Sequence, residues 1–258
     1  MSDQLLPKDC TFDFANKNVL VTGAGRGVGA EIGKMFWDAG ANVALTDVDM
    51  VTLQNTACAI DAQLQRIICL PLDVRQKTAF QDVLEAMVDK WGRVDIVVNN
   101  AGYAKRTPVQ EISVEEFDDI VAINMRSVFL SCQIFGPHMR QNGFGRIINI
   151  TSLAGQNGGT VASAHYASAK AGATMLTKYF AQDLAGSGVT VNAISPGPIA
   201  TAKGRLSADQ IKMIEGRVPV GRFMEASEIA SAVALLASAQ GGFFMGSTLD
   251  MNGGLLMR

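Results

Sequence analysis

A doubly wound α/β fold around a mostly seven-stranded parallel sheet is what the sequence predicts, on three observations. Short β-branched runs alternate with longer amphipathic stretches along the whole chain. Runs such as Ile96-Val97-Val98 are apolar without alternation, the pattern of strands covered on both faces. The first run also leads straight into a glycine-rich turn, Thr22-Gly23-Ala24-Gly25-Arg26-Gly27-Val28-Gly29, which opens a helical pattern. Strands separated by a helix's length of chain need right-handed crossovers, and these lay them parallel in one sheet.

In chain order, the strand over residues 18–21 leads through the turn to a helix over 30–39, and the run 42–46 is the second strand. A third strand over 67–70 precedes an amphipathic stretch over 77–90, and a fourth over 94–98 precedes a long one over 114–140. The fifth strand, 146–150, is followed by a helix over 164–185, and the sixth, 189–194, by a helix over 226–237. Residues 247–250 close the pattern as a seventh strand. No linker, charge block or internal repeat divides residues 1–258, so one domain is expected. Residues 1–15 read as a lead-in. Residues 201–222, of mixed polarity with Gly204 and Gly216 near their ends, read as an insertion at the sheet's carboxyl end and a candidate substrate lid.

Composition narrows the function. A chain of 258 residues buries enough surface to need no staples. Its formal charge of −2 gives no electrostatic footprint for nucleic acid or an anionic membrane. Cys10, Cys58, Cys69 and Cys132 form no CxxC pair and read as free buried thiols, with neither a disulfide framework nor a metal site. The first residues are polar and acidic with no apolar core of a signal peptide, and no uninterrupted apolar run has a spanning helix's length. A soluble, cytoplasmic protein is expected.

The glycine turn lets the backbone bend tightly and approach a pyrophosphate, and the following helix start offers free N–H groups and a positive dipole end. Its spacing fits the dinucleotide fingerprint of a Rossmann-type domain through Gly25, Gly27 and Ala30. Asp47 ends the second strand, twenty residues after Gly27, where a carboxylate accepts hydrogen bonds from ribose hydroxyls and repels a 2′-phosphate. That points to NAD(H). Arg26, a cation beside the turn, suits a 2′-phosphate and keeps NADP(H) open.

Tyr166 and Lys170 are spaced i, i+4 on a helical stretch and project from one face. A phenol titrates near 10, too high for easy proton transfer at neutral pH, and a neighbouring ammonium lowers that value. Ser152 follows the fifth strand, at the sheet edge where ligands bind in open α/β folds, and its hydroxyl is placed to hold a substrate oxygen toward Tyr166. Asn124 is an amide among Ile120, Val121, Ile123 and Val128, a buried group that needs partners; a water satisfying it would connect it to Lys170.

In these motifs the chain resembles the short-chain dehydrogenase/reductase family, from about Lys17 to Gly254. The residues carrying the resemblance are TGAGRGVG (Thr22–Gly29), Asp73-Val74, NNAG (Asn99–Gly102), Asn124, Ser152, YASAK (Tyr166–Lys170), PGPIAT (Pro196–Thr201) and LDMNGG (Leu249–Gly254). The resemblance implies a catalytic tetrad of Asn124, Ser152, Tyr166 and Lys170, with Tyr166 as general acid/base and no metal. It implies cofactor contacts at Gly23, Arg26, Gly27, Val28, Gly29 and Asp47 around the turn, at Asp73 and Val74 for the adenine, and at Asn100, Ala101 and Gly102. Tyr166 and Lys170 would also meet the nicotinamide ribose, and Pro196, Gly197, Ile199 and Thr201 the nicotinamide side. The activity implied interconverts a ketone and a secondary alcohol with NAD(H). Two alternatives stay open: an NADPH-dependent 3-oxoacyl-ACP or -CoA reductase, and a catalytically idle nucleotide-sensing regulator.

His165 and Tyr166, adjacent on a helix, point about 100° apart, so His165 reads as a packing residue or pocket wall. His138 reads as exposed near a helix end. Neither supports a Ser-His-Asp triad, and Ser152 lacks the G-x-S-x-G elbow. Met213 and Ile214 are candidate pocket residues, as are 103–106 and 153–160. The small residues Ala164, Ala167, Ala169, Ala171 and Ala173 suggest a helix contact between subunits, and the family resemblance favours a homotetramer (or a dimer).

Overall fold

The computed structural model describes residues 12–159 and 163–258. All seven expected strands form: β1 (Asn18–Thr22), β2 (Asn42–Asp47), β3 (Ile67–Pro71), β4 (Ile96–Asn99), β5 (Gly145–Ile150), β6 (Val189–Pro196) and β7 (Thr248–Met251). They build one sheet in the order β3-β2-β1-β4-β5-β6-β7, every pair parallel. The order reverses between β1 and β4, which opens a crevice at their carboxyl ends, where Thr22 and Asn99 lead into loops. Alternate side chains enter two layers: Val19, Val21, Val43 and Leu45 pack with Ile32 and Phe36 on one face. Leu20, Ala44 and Val97 pack with Phe80 and Phe135 on the other.

The expected helices appear as α1 (Gly27–Asp38), α3 (Lys77–Trp91), α7 (Ala164–Asp183) and α9 (Ala226–Ala237). Two helices lie where none was read. α2 (Met50–Ile60) is started by Asp49, whose side chain accepts from the Thr52 N–H at 3.1 Å, and buries only Leu53 and Ala57, too few for a clear apolar stripe. α8 (Ala208–Arg217) lies inside the expected insertion; its Ser207–Gln210 capping box starts it, and none of its residues is buried. A single turn, α6 (Ala154–Asn157), follows β5.

The stretch read as one helix over 114–140 is α4 (Val114–Val121), a π-helical turn (Ala122–Arg126) and α5 (Ser127–Gln141). By length and mean hydropathy this run is long and apolar enough to cross a membrane, but 56% of its most apolar window is buried inside the protein, as in a core helix. The expected lead-in lies mostly outside the described residues, and its last part is anchored: Phe14 is buried edge-on to Phe36, ring centroids 4.9 Å apart. The thiols differ from the expectation of uniform burial. Cys132 is buried, Cys69 half-buried and Cys58 exposed, all free; Cys10 lies outside the described residues. Of the α7 alanines, Ala167, Ala169 and Ala173 pack within the protomer, so only Ala164 and Ala171 face outward.

Candidate active site

The glycine turn is laid directly against the loop after β4. Gly23 has φ +64°, and a Cβ there would stand 2.8 Å from the Ala101 Cα. A Cβ on Gly29 would meet the Gly23 carbonyl oxygen at 2.3 Å and the Asn100 Nδ2 at 2.6 Å. Asn100 donates from its amide to the carbonyls of Thr22 (2.9 Å) and Gly23 (3.1 Å), and the Thr22 Oγ1 accepts the N–H groups of Asn100 and Ala101. The Asn100 side chain therefore braces the turn, while its neighbours Ala101 and Gly102 face the crevice. α1 begins at Gly27 with no side-chain cap and no acidic residue in its first turn, which leaves its N–H groups for an anion.

This turn borders a cavity of about 490 Å³. Ten of the expected cofactor residues line it: Gly23, Arg26, Val28, Gly29, Asp47, Asp73, Val74, Asn100, Ala101 and Gly102. Val48, Leu72, Arg75, Tyr103, Ala104 and Ile123 complete it. Asp47 stands at the end of β2 with Oδ2 accepting the Gly25 N–H (3.0 Å) and Oδ1 accepting the Asp49 N–H (3.2 Å). A Cβ on Gly25 would come within 2.9 Å of that Oδ2, so this position admits only glycine without a shift. Asp73 is half of an ion pair that the sequence did not announce: Arg75 holds it at 2.8 Å and reaches Asp119 at 2.9 Å. That guanidinium keeps the Asp73 carboxyl below the usual carboxylate range.

The residues expected on the nicotinamide side lie off this cavity. Pro196 ends β6, and Gly197 lines a separate cavity of about 260 Å³ with Pro198, Val218, Val220, Met251 and Asn252 among others. Ile199 bridges Met224, and the Thr201 Cγ2 comes within 3.9 Å of a Cβ placed on Gly27, so the segment after β6 crosses to the glycine turn.

Two residues of the expected tetrad, Asn124 and Lys170, meet beside Gly102. A Cβ on Gly102 would stand 3.0 Å from the Asn124 Oδ1 and 3.3 Å from the Lys170 Nζ, so a residue lining the large cavity touches both. Lys170 is buried and donates to the Ile150 carbonyl at 2.8 Å. Asn124 sits in the π-helical turn, where one extra residue turns its amide inward. Its Nδ2 donates to the carbonyls of Tyr103 (2.8 Å) and Ile120 (3.0 Å), and its Oδ1 accepts the Tyr103 N–H (3.3 Å). The amide expected to lean on water is thus satisfied by protein. Ser152 is half-buried after β5, its Oγ accepts the Ala154 N–H at 3.2 Å, and its hydroxyl is near enough to the Tyr166 phenol to draw its titration down.

The electrostatics correct one expectation. Burial pushes the Tyr166 phenol up and the Ser152 hydroxyl offsets this only in part, so the phenol is not acidified in the free protein. The Lys170 Nζ lies 5.8 Å from the Tyr166 ring centroid, and burial pushes its own titration down to about 8. The two side chains share a face, as the spacing requires, and the ammonium's hydrogen bond goes to the Ile150 carbonyl.

Comparison with known proteins shows the family. The sequence profile of the enoyl-(acyl carrier protein) reductase family matches residues 23–256. The chain is 40% identical to the 3-oxoacyl-[acyl-carrier-protein] reductase FabG of Escherichia coli over 249 residues, 95% of this chain and 99% of that one. The chain belongs to the short-chain dehydrogenase/reductase family. Its fold superposes on a short-chain dehydrogenase/reductase described as a glucose/ribitol dehydrogenase from Brucella melitensis, with TM-score 0.87 and 29% identity, covering 96% of this chain and 100% of that one. A short-chain alcohol dehydrogenase from Sinorhizobium meliloti aligns with TM-score 0.88 and 30% identity, covering 95% and 98%.

As a short-chain dehydrogenase/reductase, the chain carries several site features that sequence reasoning missed. Arg75 in the cavity wall follows Asp73-Val74 directly, and a cation two residues after an acid was the available signal. His138 is half-buried, not exposed: its Nε2 accepts the Val94 N–H at 3.1 Å, and burial lowers its titration. His165 is fully buried and hydrogen-bonded at both nitrogens. Met213 is half exposed on α8, and Thr160, in the expected pocket wall, lies outside the described residues.

The depressed Lys170 titration has a stability consequence. Between about pH 8 and the unfolded value of 10.5, the unfolded chain holds a proton that the folded protein has released. Stability therefore rises with pH across that window. In thermal melts from pH 7 to pH 10, the wild type gains stability relative to Lys170→Met as pH passes 8; parallel curves would exclude the burial effect.

Proposed function

We propose that this short-chain dehydrogenase/reductase interconverts a ketone and a secondary alcohol using NAD(H), with Tyr166 as general acid/base. The carrying observation is Gly102, which lines the large cavity and abuts both Asn124 and Lys170. It joins the glycine-walled cavity to Lys170, one helical turn from Tyr166. The cradle fits the group: Gly23 and Gly29 stand where a Cβ would collide with backbone, and the α1 N–H groups are free for phosphate oxygens.

A bound nicotinamide supplies or takes the hydride. Ser152 holds the substrate oxygen toward Tyr166, whose hydroxyl gives its proton to that oxygen in reduction and takes one in oxidation. Lys170, anchored on the Ile150 carbonyl, would hold the nicotinamide ribose and favours the phenolate once substrate excludes water. Asn124 holds the Tyr103 backbone and so keeps Gly102 against Lys170. Residues 201–222 act as a lid: α8 buries no residue and is tied to the preceding turn by the Lys203–Glu215 ion pair at 2.9 Å. Phe129, Met175 and Tyr179 are exposed apolar residues on α5 and α7, a surface suited to a second copy in a homotetramer. Free thiols at Cys58, Cys69 and Cys132 suit a cytoplasmic protein.

Asp47 supports the NAD(H) preference. Each carboxylate oxygen accepts one backbone N–H and keeps a further lone pair for a ribose hydroxyl, while its charge opposes a 2′-phosphate. A second reading, an NADPH-linked 3-oxoacyl-thioester reductase, is favoured by the names of the similar reductases and by exposed Arg26 in the cavity wall. Fluorescence titration separates them. NADH is expected to bind at least about tenfold more tightly than NADPH, about 1.4 kcal/mol. Asp47→Ser, which keeps an acceptor for the Gly25 N–H, is expected to close most of that gap. Tighter NADPH binding by the wild type overturns the cofactor reading. Absorbance assays of a ketone and alcohol panel that includes acetoacetyl-CoA, with each cofactor, test the activity itself.

A further inference from the structure

Behind Tyr166 lies a pair of residues that the proposed chemistry leaves unused. α7 starts at Ala164, and Ser163 gives it no side-chain cap. The Tyr166 N–H is therefore one of the donors a helix start leaves without a partner. It donates to the Nδ1 of His165 at 2.9 Å. Since Nδ1 accepts, the ring proton sits on Nε2, which stands 2.9 Å from the Glu116 Oε1 and donates to it. Glu116 belongs to the first turn of α4, and its other oxygen pairs with Lys105. A second tie runs alongside. The Ser163 Oγ accepts the Thr107 N–H at 2.8 Å and lies within hydrogen-bond distance of the Lys105 and Thr107 carbonyls.

These bonds join three parts of the chain that carry the site. The loop after β4 lines the dinucleotide cavity at Gly102, Tyr103 and Ala104 and continues to Lys105 and Thr107. α4 contributes Glu116 and leads into the π-helical turn that holds Asn124. α7 carries Tyr166 in its first turn. A plain Ser, Asn or Asp cap would satisfy the helix start at lower desolvation cost than a buried imidazole held by a mostly buried carboxylate. What the imidazole adds is reach: one rigid ring spans from the Tyr166 backbone to another helix.

We propose that His165 and Glu116 are positioning residues for Tyr166, a clasp that fixes the first turn of α7, and the phenol on it, against the loop that walls the dinucleotide cavity. The proposal rests on the reading of Tyr166 as proton donor, but its primary test does not. Protein with 13C-labelled tyrosine rings gives signals from Tyr103, Tyr166 and Tyr179, and the Tyr166→Phe variant assigns Tyr166. In His165→Ala, the Tyr166 signal is expected to shift and its titration midpoint to move by about half a pH unit or more. Tyr179, further along the same helix, is expected to stay put. His165→Asn, which keeps an acceptor near the Nδ1 position, is expected to bring Tyr166 back toward its wild-type signal, whereas Glu116→Gln gives an intermediate shift. With any carbonyl turned over in the panel, kcat of His165→Ala is expected to fall about tenfold or more at unchanged KM for NADH. Should His165→Ala fail to fold, Glu116→Gln carries the test alone. An unmoved Tyr166 signal and titration in the folded variant overturns the clasp. Full turnover in Tyr166→Phe would instead remove the proton-donor reading and leave the clasp standing.

Discussion

Tyr166→Phe is expected to lower turnover by about 10²- to 10⁴-fold while NADH affinity changes little, because the substitution removes one hydroxyl and keeps the ring. No other phenol is placed to replace it: Tyr103 is half exposed on the cavity wall, and Tyr179 is exposed well down α7. Ser152 keeps its bond from the Ala154 N–H and stays positioned, so the loss isolates proton transfer from substrate placement. Stability is expected to hold or rise slightly, since a partly buried hydroxyl is replaced by hydrogen on an apolar ring of the same shape. Steady-state absorbance assays beside fluorescence titration of NADH distinguish the two effects. Undiminished kcat in a variant that binds NADH normally would mean that another group moves the proton.

Gly29→Ala is expected to weaken both dinucleotide binding and the fold. The added methyl would sit 2.3 Å from the Gly23 carbonyl oxygen and 2.6 Å from the Asn100 Nδ2, and both contacts belong to the brace between the glycine turn and β4. Neither is the free end of a flexible side chain, so the turn itself must move, at a cost of about 1–3 kcal/mol. Displacing the turn also misaligns the α1 N–H groups, and the Kd for NADH is expected to rise at least about tenfold, or 1.4 kcal/mol. Gly216→Ala provides the contrast. It lies in α8 with nothing near its Cβ position, so the same change there is expected to stabilise by about 0.5–1 kcal/mol and leave NADH binding alone. Equal melting temperatures and affinities for Gly29→Ala and the wild type would mean that the turn is looser than its contacts require.

Much of the cavity was legible in the chain because its parts are local. The turn needs glycine where backbone meets backbone, and Asp47 must follow a strand of fixed length, so spacing located those parts of the wall, while Asp73, Val74 and Asn100 to Gly102 came from the family resemblance. The helix spacing that set Tyr166 and Lys170 on one face is equally local. What spacing could not give was the state of those groups. The expected acidification of Tyr166 assumed a close ammonium, whereas burial dominates both residues, and burial depends on what every other element contributes. The same holds for Asp73 and Arg75, whose pairing is completed by Asp119 from a distant helix.

The amino-acid order alone determined the fold class, the seven strands and the identity of the cradle, since strand burial and tight turns write themselves into short stretches of residue type. Only the tertiary structure decided which polar groups face the cavity and which are consumed holding it together. Asn100 braces the turn, Asn124 clamps Tyr103, and His165 joins Tyr166 to Glu116. A hydrogen bond depends on where its two ends meet in space, and those ends lie 49 positions apart for His165 and Glu116. No periodicity along the chain records such a meeting.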